Sequence, residues 1–272
     1  MSASHTIHTA ACVIIGDEVL NGKIRDTNSN YFAKYCFGLG IDLVRIETVP
    51  DSESEIIEAV RRCAEKADFV VTSGGIGPTH DDITYPSIAK AYGLDVKLHQ
   101  PTVDKMAQFA KIDHNDKQRH EAQMRMALLP YSEDKSKADC LFVDPSLWVP
   151  VAVVASKIHI LPGIPQLFEK LLQGLVSVIT PRLHPDGQQV RMLVLTSVAE
   201  SAMAHFLTQL QEQVKESKIK IGSYPHWKIH KNTVSIIGPR SELSYLNKIA
   251  QDVADHLEGE IITQEQEEEI SH

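Results

Sequence analysis

A short apolar run ending in Val70 and Val71 feeds the segment T-S-G-G-I-G-P-T-H-D-D-I-T at Thr72–Thr84, and a helix-like stretch follows it. A buried strand that turns on glycines into a helix is a unit of an α/β fold. Glycine lets the backbone take conformations that other residues avoid and approach a ligand closely. Successive N–H groups in such a turn can form an anion-binding concavity. Asp81 and Asp82 stand just beyond the glycines Gly74, Gly75 and Gly77. A phosphate cradle beside hard oxygen ligands is what a nucleotide or another phosphate ester with a divalent cation requires. The turn is not a Walker loop, because no G-K-[ST] follows, and it is not the G-x-G-x-x-G fingerprint.

The rest of the first 180 residues repeats the alternation. Ala10–Ile15 is apolar and ends at Gly16, as a buried strand would. Asp26–Gly40 reads as a helix, with Tyr31, Phe32, Tyr35, Cys36 and Leu39 on one face and Gly38 or Gly40 as its stop. Ile41–Val49 is β-like. Ser52-Glu53-Ser54-Glu55 has the capping-box pattern ahead of an apolar stripe at Ile56, Ile57, Val60 and Cys63. Asp68–Thr72 is the next strand. A helix to about Tyr92 is stopped by Gly93, a helical stretch over 100–126 is broken near 113–116, and strands lie at 151–155 and 158–161. Leu161-Pro162-Gly163-Ile164-Pro165 turns into a helix reaching about Ile179. Helices alternating with strands predict a mostly parallel sheet with helices on both faces.

Pro181–Gly187 is the linker candidate. Beyond it the order β-α-β-β-α-β predicts a small ferredoxin-like α+β lobe. The predicted organisation is a domain over 8–180, a lobe over 188–264, and an acidic tail over 265–272 that frays in solvent.

Composition narrows the class. A net charge of −9 without a long Lys/Arg cluster argues against a dedicated nucleic-acid binder. No stretch approaches the apolar length of a membrane helix, and the N-terminus lacks the pattern of a signal peptide. Cysteines 12, 36, 63 and 140 form no C-x-x-C, and Cys12, Cys36 and Cys63 fall within apolar patterns and read as buried, reduced thiols, which predicts a cytoplasmic protein.

Several spaced segments resemble one family. Gly16-Asp17-Glu18-Val19-Leu20-Asn21-Gly22 followed by Asp26-Thr27-Asn28 is similar to the opening of the MoaB/Mog-type molybdopterin-binding fold. The G-P-T-x-D-D-x-T variant resembles the branch that contains bacterial CinA and the N-terminal domain of animal FAD synthase. Gln123–Pro130 and Leu161–Pro165 match later blocks of that branch, and Ile221-Gly222-Ser223-Tyr224-Pro225 resembles the FAD synthase side. The resemblance implies a three-layer α/β domain and metal-dependent hydrolysis of a dinucleotide pyrophosphate, such as FAD or ADP-ribose, to two monophosphates. It implies a divalent metal of the magnesium or cobalt type, an accessory monovalent cation such as potassium, and a homo-oligomer. Neither the deamidase domain of CinA proteins nor the adenylyltransferase domain of FAD synthases has a counterpart here, so those reactions are not expected. A non-catalytic nucleotide or pterin-phosphate binding module and adenylyl transfer to molybdopterin are the alternatives.

Within that frame Asp82 is the first candidate metal ligand, with Asp81 orienting water or binding through it; either could instead cap the following helix. Ser73, Gly74, Gly75, Gly77 and Thr79 are the candidate phosphate contacts. Glu18 and Asn28 sit where open α/β sheets bind ligands, and Thr84 either meets phosphate or caps its helix. Asp17, Lys117 and Arg125 are secondary candidates, Gly163 and Pro165 shape the pocket floor, and His80 faces solvent. Tyr224, Pro225 and Trp227 form either an aromatic platform or part of the small lobe's core.

Overall fold

A computed structural model describes residues 6–109, 112–113, 115–270 and the backbone of 271. The chain divides into two compact units, 1–184 and 185–272.

The first unit opens with β1 (Thr9–Ile15), the short helix α1 (Asp17–Leu20) and α2 (Asn28–Leu39), then β2 (Asp42–Val49), α3 (Glu53–Lys66) and β3 (Phe69–Ser73). It continues through α4 (Thr84–Ala91), β4 (Asp95–Leu98), α5 (Gln100–Phe109), α6 (Lys117–Arg125), β5 (Leu128–Tyr131), β6 (Ala138–Leu141), β7 (Val151–Val154), β8 (Ile158–Leu161) and α7 (Pro165–Ile179). The main sheet has the order β2-β1-β3-β8-β7-β6. β2, β1, β3 and β8 run parallel, while β7 and β6 are antiparallel. The pleat divides β1 between two cores. Ala10, Cys12 and Ile14 join Phe32, Cys36, Phe168 and Leu172 of α2 and α7. Ala11, Val13 and Ile15 join Ile56, Val60 and Ile88 of α3 and α4. This is the three-layer arrangement that continuous apolar strands demand, since both faces need cover.

Gly40 ends α2 with φ of 70°, so it, and not Gly38, is the stop. Ser52 precedes α3, but its side chain makes no capping bond to the helix; its hydroxyl meets that of Ser54 at 3.2 Å. The small antiparallel pair β4–β5 has no forerunner in the sequence reading, because every residue of β4 is exposed and no apolar alternation marks it. The predicted break near 113–116 falls between α5 and α6; residues 110, 111 and 114 lie outside the described set.

The second unit contains β9 (Gln189–Thr196), α8 (Glu200–Gln213), β10 (Lys220–His226), β11 (Lys231–Pro239), α9 (Leu243–His256), β12 (Glu260–Ile262) and α10 (Gln264–Ser271). Its antiparallel order β10-β11-β9-β12 is that of a ferredoxin-like sheet. Val194, Val234 and Ile236 pack with Met203 of α8 and Leu246, Ile249 and Val253 of α9.

The tail does not fray. Thr263 and Gln266 form a reciprocal capping box, in which Thr263 N–H donates to Gln266 Oε1 at 2.8 Å and Gln266 N–H to Thr263 Oγ1 at 3.3 Å. Ile270 then packs on Leu193, Leu195 and Ile262, the sheet residues that point away from α8 and α9. An apolar anchor and a cap outweigh the repulsion among its glutamates.

Candidate functional site

Parallel strands place their carboxyl ends on one edge of the sheet, and ligands of open α/β sheets bind outside that edge. Here the edge gathers Gly16–Glu18 after β1, Asp51 after β2, Ser73–Gly75 after β3 and Pro162–Gly163 after β8. A cavity of about 480 Å³ lies there, with Glu18, Asn28, Ser73, Gly77, Asp82 and Trp148 in its wall. A larger cavity of about 1060 Å³ has Asp68 and Lys157 in its wall, at the opposite ends of β3 and β8 from the glycines.

The glycine turn is built by steric necessity. Gly74 has φ of +109°, and a Cβ there would sit 2.1 Å from the Ile15 carbonyl oxygen. Gly75 has φ of +66°, and its Cβ would sit 2.2 Å from Thr84 Oγ1. Side chains are therefore excluded at both positions. A Cβ on Gly163 would meet Gly74 Cα at 3.3 Å, so the end of β8 can lie against the turn. Gly74 N–H donates to Leu161 O at 3.2 Å and Thr84 N–H to Gly75 O at 2.9 Å. The next donors, the N–H groups of Gly75, Ile76 and Gly77, have no protein acceptor among the described residues, and all three residues line the cavity. Three consecutive unengaged amides make an anion nest.

The hydroxyls expected to assist them are used inside the protein. Ser73 Oγ accepts from Asn28 Nδ2 at 2.8 Å and points at Pro162 O at 3.4 Å. Thr79 donates through N–H and Oγ1 to Asp82 Oδ2 at 2.8 and 2.5 Å. Thr84 is fully buried and gives its hydroxyl to Gly74 O at 2.9 Å. It braces the turn, a duty that neither of the two expected roles, phosphate contact or helix cap, describes.

Asn28 is the least expected element. Its Nδ2 also donates to Gly163 O at 2.8 Å, so one side chain ties the start of α2 to the ends of β3 and β8. The Gly163 carbonyl cannot donate, which fixes the amide orientation. Oδ1 is then left buried with no partner. A buried acceptor without a donor costs about 1–3 kcal/mol, so Asn28 ties the three elements together at a net cost to the free protein.

Acidic groups collect around the same edge. Asp17 N–H donates to Asp51 Oδ2 at 3.0 Å. Burial pushes the Asp51 carboxyl above its ordinary value against that bond, and the charges of Glu18, Asp17 and Asp81 add to the rise. Asp81 is exposed and held below its ordinary value, first by the Thr79 hydroxyl and also by the His80 and Arg125 charges. Among the described residues no three His, Cys, Asp or Glu side chains are grouped as a metal cage. One or two carboxylates with substrate phosphates are, however, the usual setting of Mg²⁺. The donor set fits a cation that arrives with its nucleotide.

Other expected residues separate. Gly163 and Pro165 line the cavity, Pro165 as the first residue of α7. Arg125 lines an adjoining cavity. Lys117 is on the solvent side of α6, 3.8 Å from Glu121, and His80 is 96% exposed. Tyr224 and Trp227 are exposed by 54% and 85%, so neither packs the core of the second unit. Asp51 escaped the sequence reading, although the carboxyl-edge rule applied to β2 points to it. Trp148 stands among short β-like runs in the sequence, yet residues 142–150 form no strand, so the pattern does not mark it for the cavity.

Residues 11–184 match the family of probable molybdopterin binding domains, and residues 190–266 match the middle domain of FAD synthase. The chain belongs to the molybdopterin-binding-domain family. Within it the chain is 30% identical to a probable FAD synthase of Caenorhabditis elegans, over 81% of this chain and 44% of that one. A Pyrococcus horikoshii protein is 33% identical over 79% of this chain and 84% of its own. The crystal structure of a CinA protein of unknown function from Thermoplasma acidophilum superposes with a TM-score of 0.55 and 29% identity, covering 65% of this chain and 99% of that one. The chain spans about half the length of the FAD synthase and CinA-like relatives it matches. The fold is thus MoaB/Mog-like in the first unit, with an added antiparallel sheet in the second. No helix among the described residues is long and apolar enough to cross a membrane.

Proposed function

We propose that the cavity at the ends of β1, β3 and β8 binds a dinucleotide pyrophosphate of the FAD or ADP-ribose type and hydrolyses it to two monophosphates. The observation that carries this reading is the run of unengaged amides at Gly75, Ile76 and Gly77, residues that line a cavity whose wall also holds Asp82, with the exposed Asp81 beside it in the chain. The amides take the negative charge of the diphosphate, and they need no reorganisation to do so because Gly74 and Thr84 hold the turn. A divalent cation bound there would neutralise phosphoryl oxygens and lower the pKa of a bound water. Asp81, exposed and ionised beside Asp82, would be the group that orients a water. Asp82 keeps the loop closed through Thr79 and offers its remaining oxygen lone pairs to the site. The water oxygen bonds to one phosphorus, the bridging P–O bond breaks, the bridging oxygen leaves with the other phosphate, and a proton passes to solvent. The setting we infer is cytosolic and homo-oligomeric, one in which the fully buried thiols of Cys12, Cys36 and Cys63 stay reduced.

The test incubates the purified chain with FAD or ADP-ribose and Mg²⁺ or Co²⁺ and resolves the products chromatographically. FMN plus AMP, or AMP plus ribose 5-phosphate, is the expected result. Asp81→Ala/Asp82→Ala should abolish turnover while the chain stays folded. Absence of turnover with every divalent ion would overturn the catalytic reading. A second reading, binding without chemistry, draws on the engagement of Asp82 by Thr79. Tight FAD binding by calorimetry with no cleavage would establish it.

A further inference from the structure

The segment Ile76–Asp82 is a partition. On one side is the cavity of about 480 Å³ described above; on the other is a cavity of about 450 Å³. Ile76, Gly77, Pro78, Asp82 and Tyr85 line both. Each volume falls within the roughly 300–1,000 Å³ typical of small-molecule pockets. A mononucleotide or a pterin needs one such space. Two spaces that share a wall, with the unengaged amides of Ile76 and Gly77 in that wall and Gly75 beside it, fit a ligand with two heads joined through a diphosphate.

The far walls differ in chemistry. The cavity of about 480 Å³ has Trp148 in its wall, which suits a flat ring system, with Asn28 beside the turn. The smaller is closed by α6, through Gln118, Glu121, Ala122 and Arg125. Glu121 is paired with Lys117, whereas Arg125 makes no ion pair within 4 Å among the described residues. A planar guanidinium on the wall of a mainly apolar pocket suits a phosphate oxygen or the face of a base. Its charge is already felt at Asp81.

We infer that a dinucleotide straddles this partition, its diphosphate crossing at the amides of Gly75–Gly77, its flavin-like half against Trp148 and Asn28, and its adenylate half against α6, where Arg125 sets affinity. This map rests on the dinucleotide reading above. Arg125 is in this scheme a specificity-determining residue that touches no reacting bond.

Calorimetry with AMP and FMN on the unaltered chain is the first test. Both should bind one chain at once, each affinity little changed by the other. Ala122→Trp, which fills the smaller cavity, should weaken AMP and raise KM for FAD by roughly tenfold or more while FMN affinity stays within about twofold. Arg125→Ala should weaken AMP by about tenfold, the size expected for a lost charge-assisted hydrogen bond, and leave FMN unaffected. Displacement of AMP by FMN, or an Ala122→Trp enzyme with unchanged KM for FAD, would overturn the map even where FAD is cleaved. Simultaneous binding without FAD cleavage would leave the map standing and remove the hydrolytic reading. Failure to bind any of the three nucleotides would remove both.

Discussion

The collision between Gly75 and Thr84 gives a quantitative test of how the cradle is held. Thr84 Oγ1 donates to Gly74 O at 2.9 Å inside the protein. Removing it with Thr84→Ala strands a buried carbonyl, at a cost of about 1–3 kcal/mol. Gly75→Ala carries two penalties. The left-handed φ of +66° costs about 1–2 kcal/mol for a residue with a Cβ. The new Cβ, 2.2 Å from Thr84 Oγ1, also pushes the hydroxyl off Gly74 O and forfeits the same hydrogen bond. The single variant should therefore lose about 2–5 kcal/mol. In the double variant the colliding atom is absent and the bond is already gone, so its loss should equal that of Gly75→Ala alone. The two changes should then be non-additive by about 1–3 kcal/mol. The chain has two tryptophans, and Trp227 is 85% exposed. A Trp227→Phe background makes Trp148, in the cavity wall, the only reporter. Urea unfolding followed by its fluorescence yields the cycle. Additivity within about 0.5 kcal/mol would refute the contact and the claim that Thr84 braces the turn.

Three further outcomes follow from the same coordinates. Burial pushes the His159 imidazole down to about 4 from 6.5, so the unfolded chain takes up the proton first. Stability is complete above the ordinary value and falls by about 3 kcal/mol as pH drops through that interval, and His159→Gln should flatten this limb of a urea-midpoint profile. The raised Asp51 carboxyl has the opposite sign: stability falls as pH rises from the ordinary carboxylate value through the raised one. Asp51→Asn keeps an acceptor for the Asp17 N–H and should raise the melting temperature at neutral pH but not in acid, where the carboxyl is protonated anyway. Ile270→Glu should remove the anchor of α10 and cost the second unit about 1–2 kcal/mol; amide exchange over 264–271 should rise to that of an open segment.

What could be read from the amino-acid order alone follows from how local the cause is. β1 and β3 were legible because both faces are covered, which leaves unbroken apolar runs ending at glycine. The βαββαβ order of the second unit was legible because each helix and strand carries its own period. β4–β5 was not, since exposed strands carry no such mark. The helical tail was missed because four acidic residues weigh more in a composition than one isoleucine, although Thr263-x-x-Gln266 was there to be read. In the site, Gly74 and Gly75 were legible because their backbone forbids side chains. The duties of Ser73, Thr79 and Thr84 were not, because a hydroxyl beside a glycine turn serves a ligand or the turn equally well until its partner is known.

That ambiguity has a physical origin. A cradle made of amides is only as fixed as the carbonyls behind it, so the polar side chains nearest the anion are the ones best placed to lock those carbonyls. Thr84 holds Gly74 O, and Asn28 holds Gly163 O. Both act on the ligand through backbone position, and substituting either perturbs stability and affinity together. Asn28 differs in one respect, because its second polar atom remains unsatisfied. A side chain that only braces would be expected to use both ends; one left with a buried acceptor is strained toward a donor that the protein does not provide. Asn28→Ala should therefore remove a penalty together with its two hydrogen bonds, and its cost in urea unfolding should fall below the sum expected for two lost bonds.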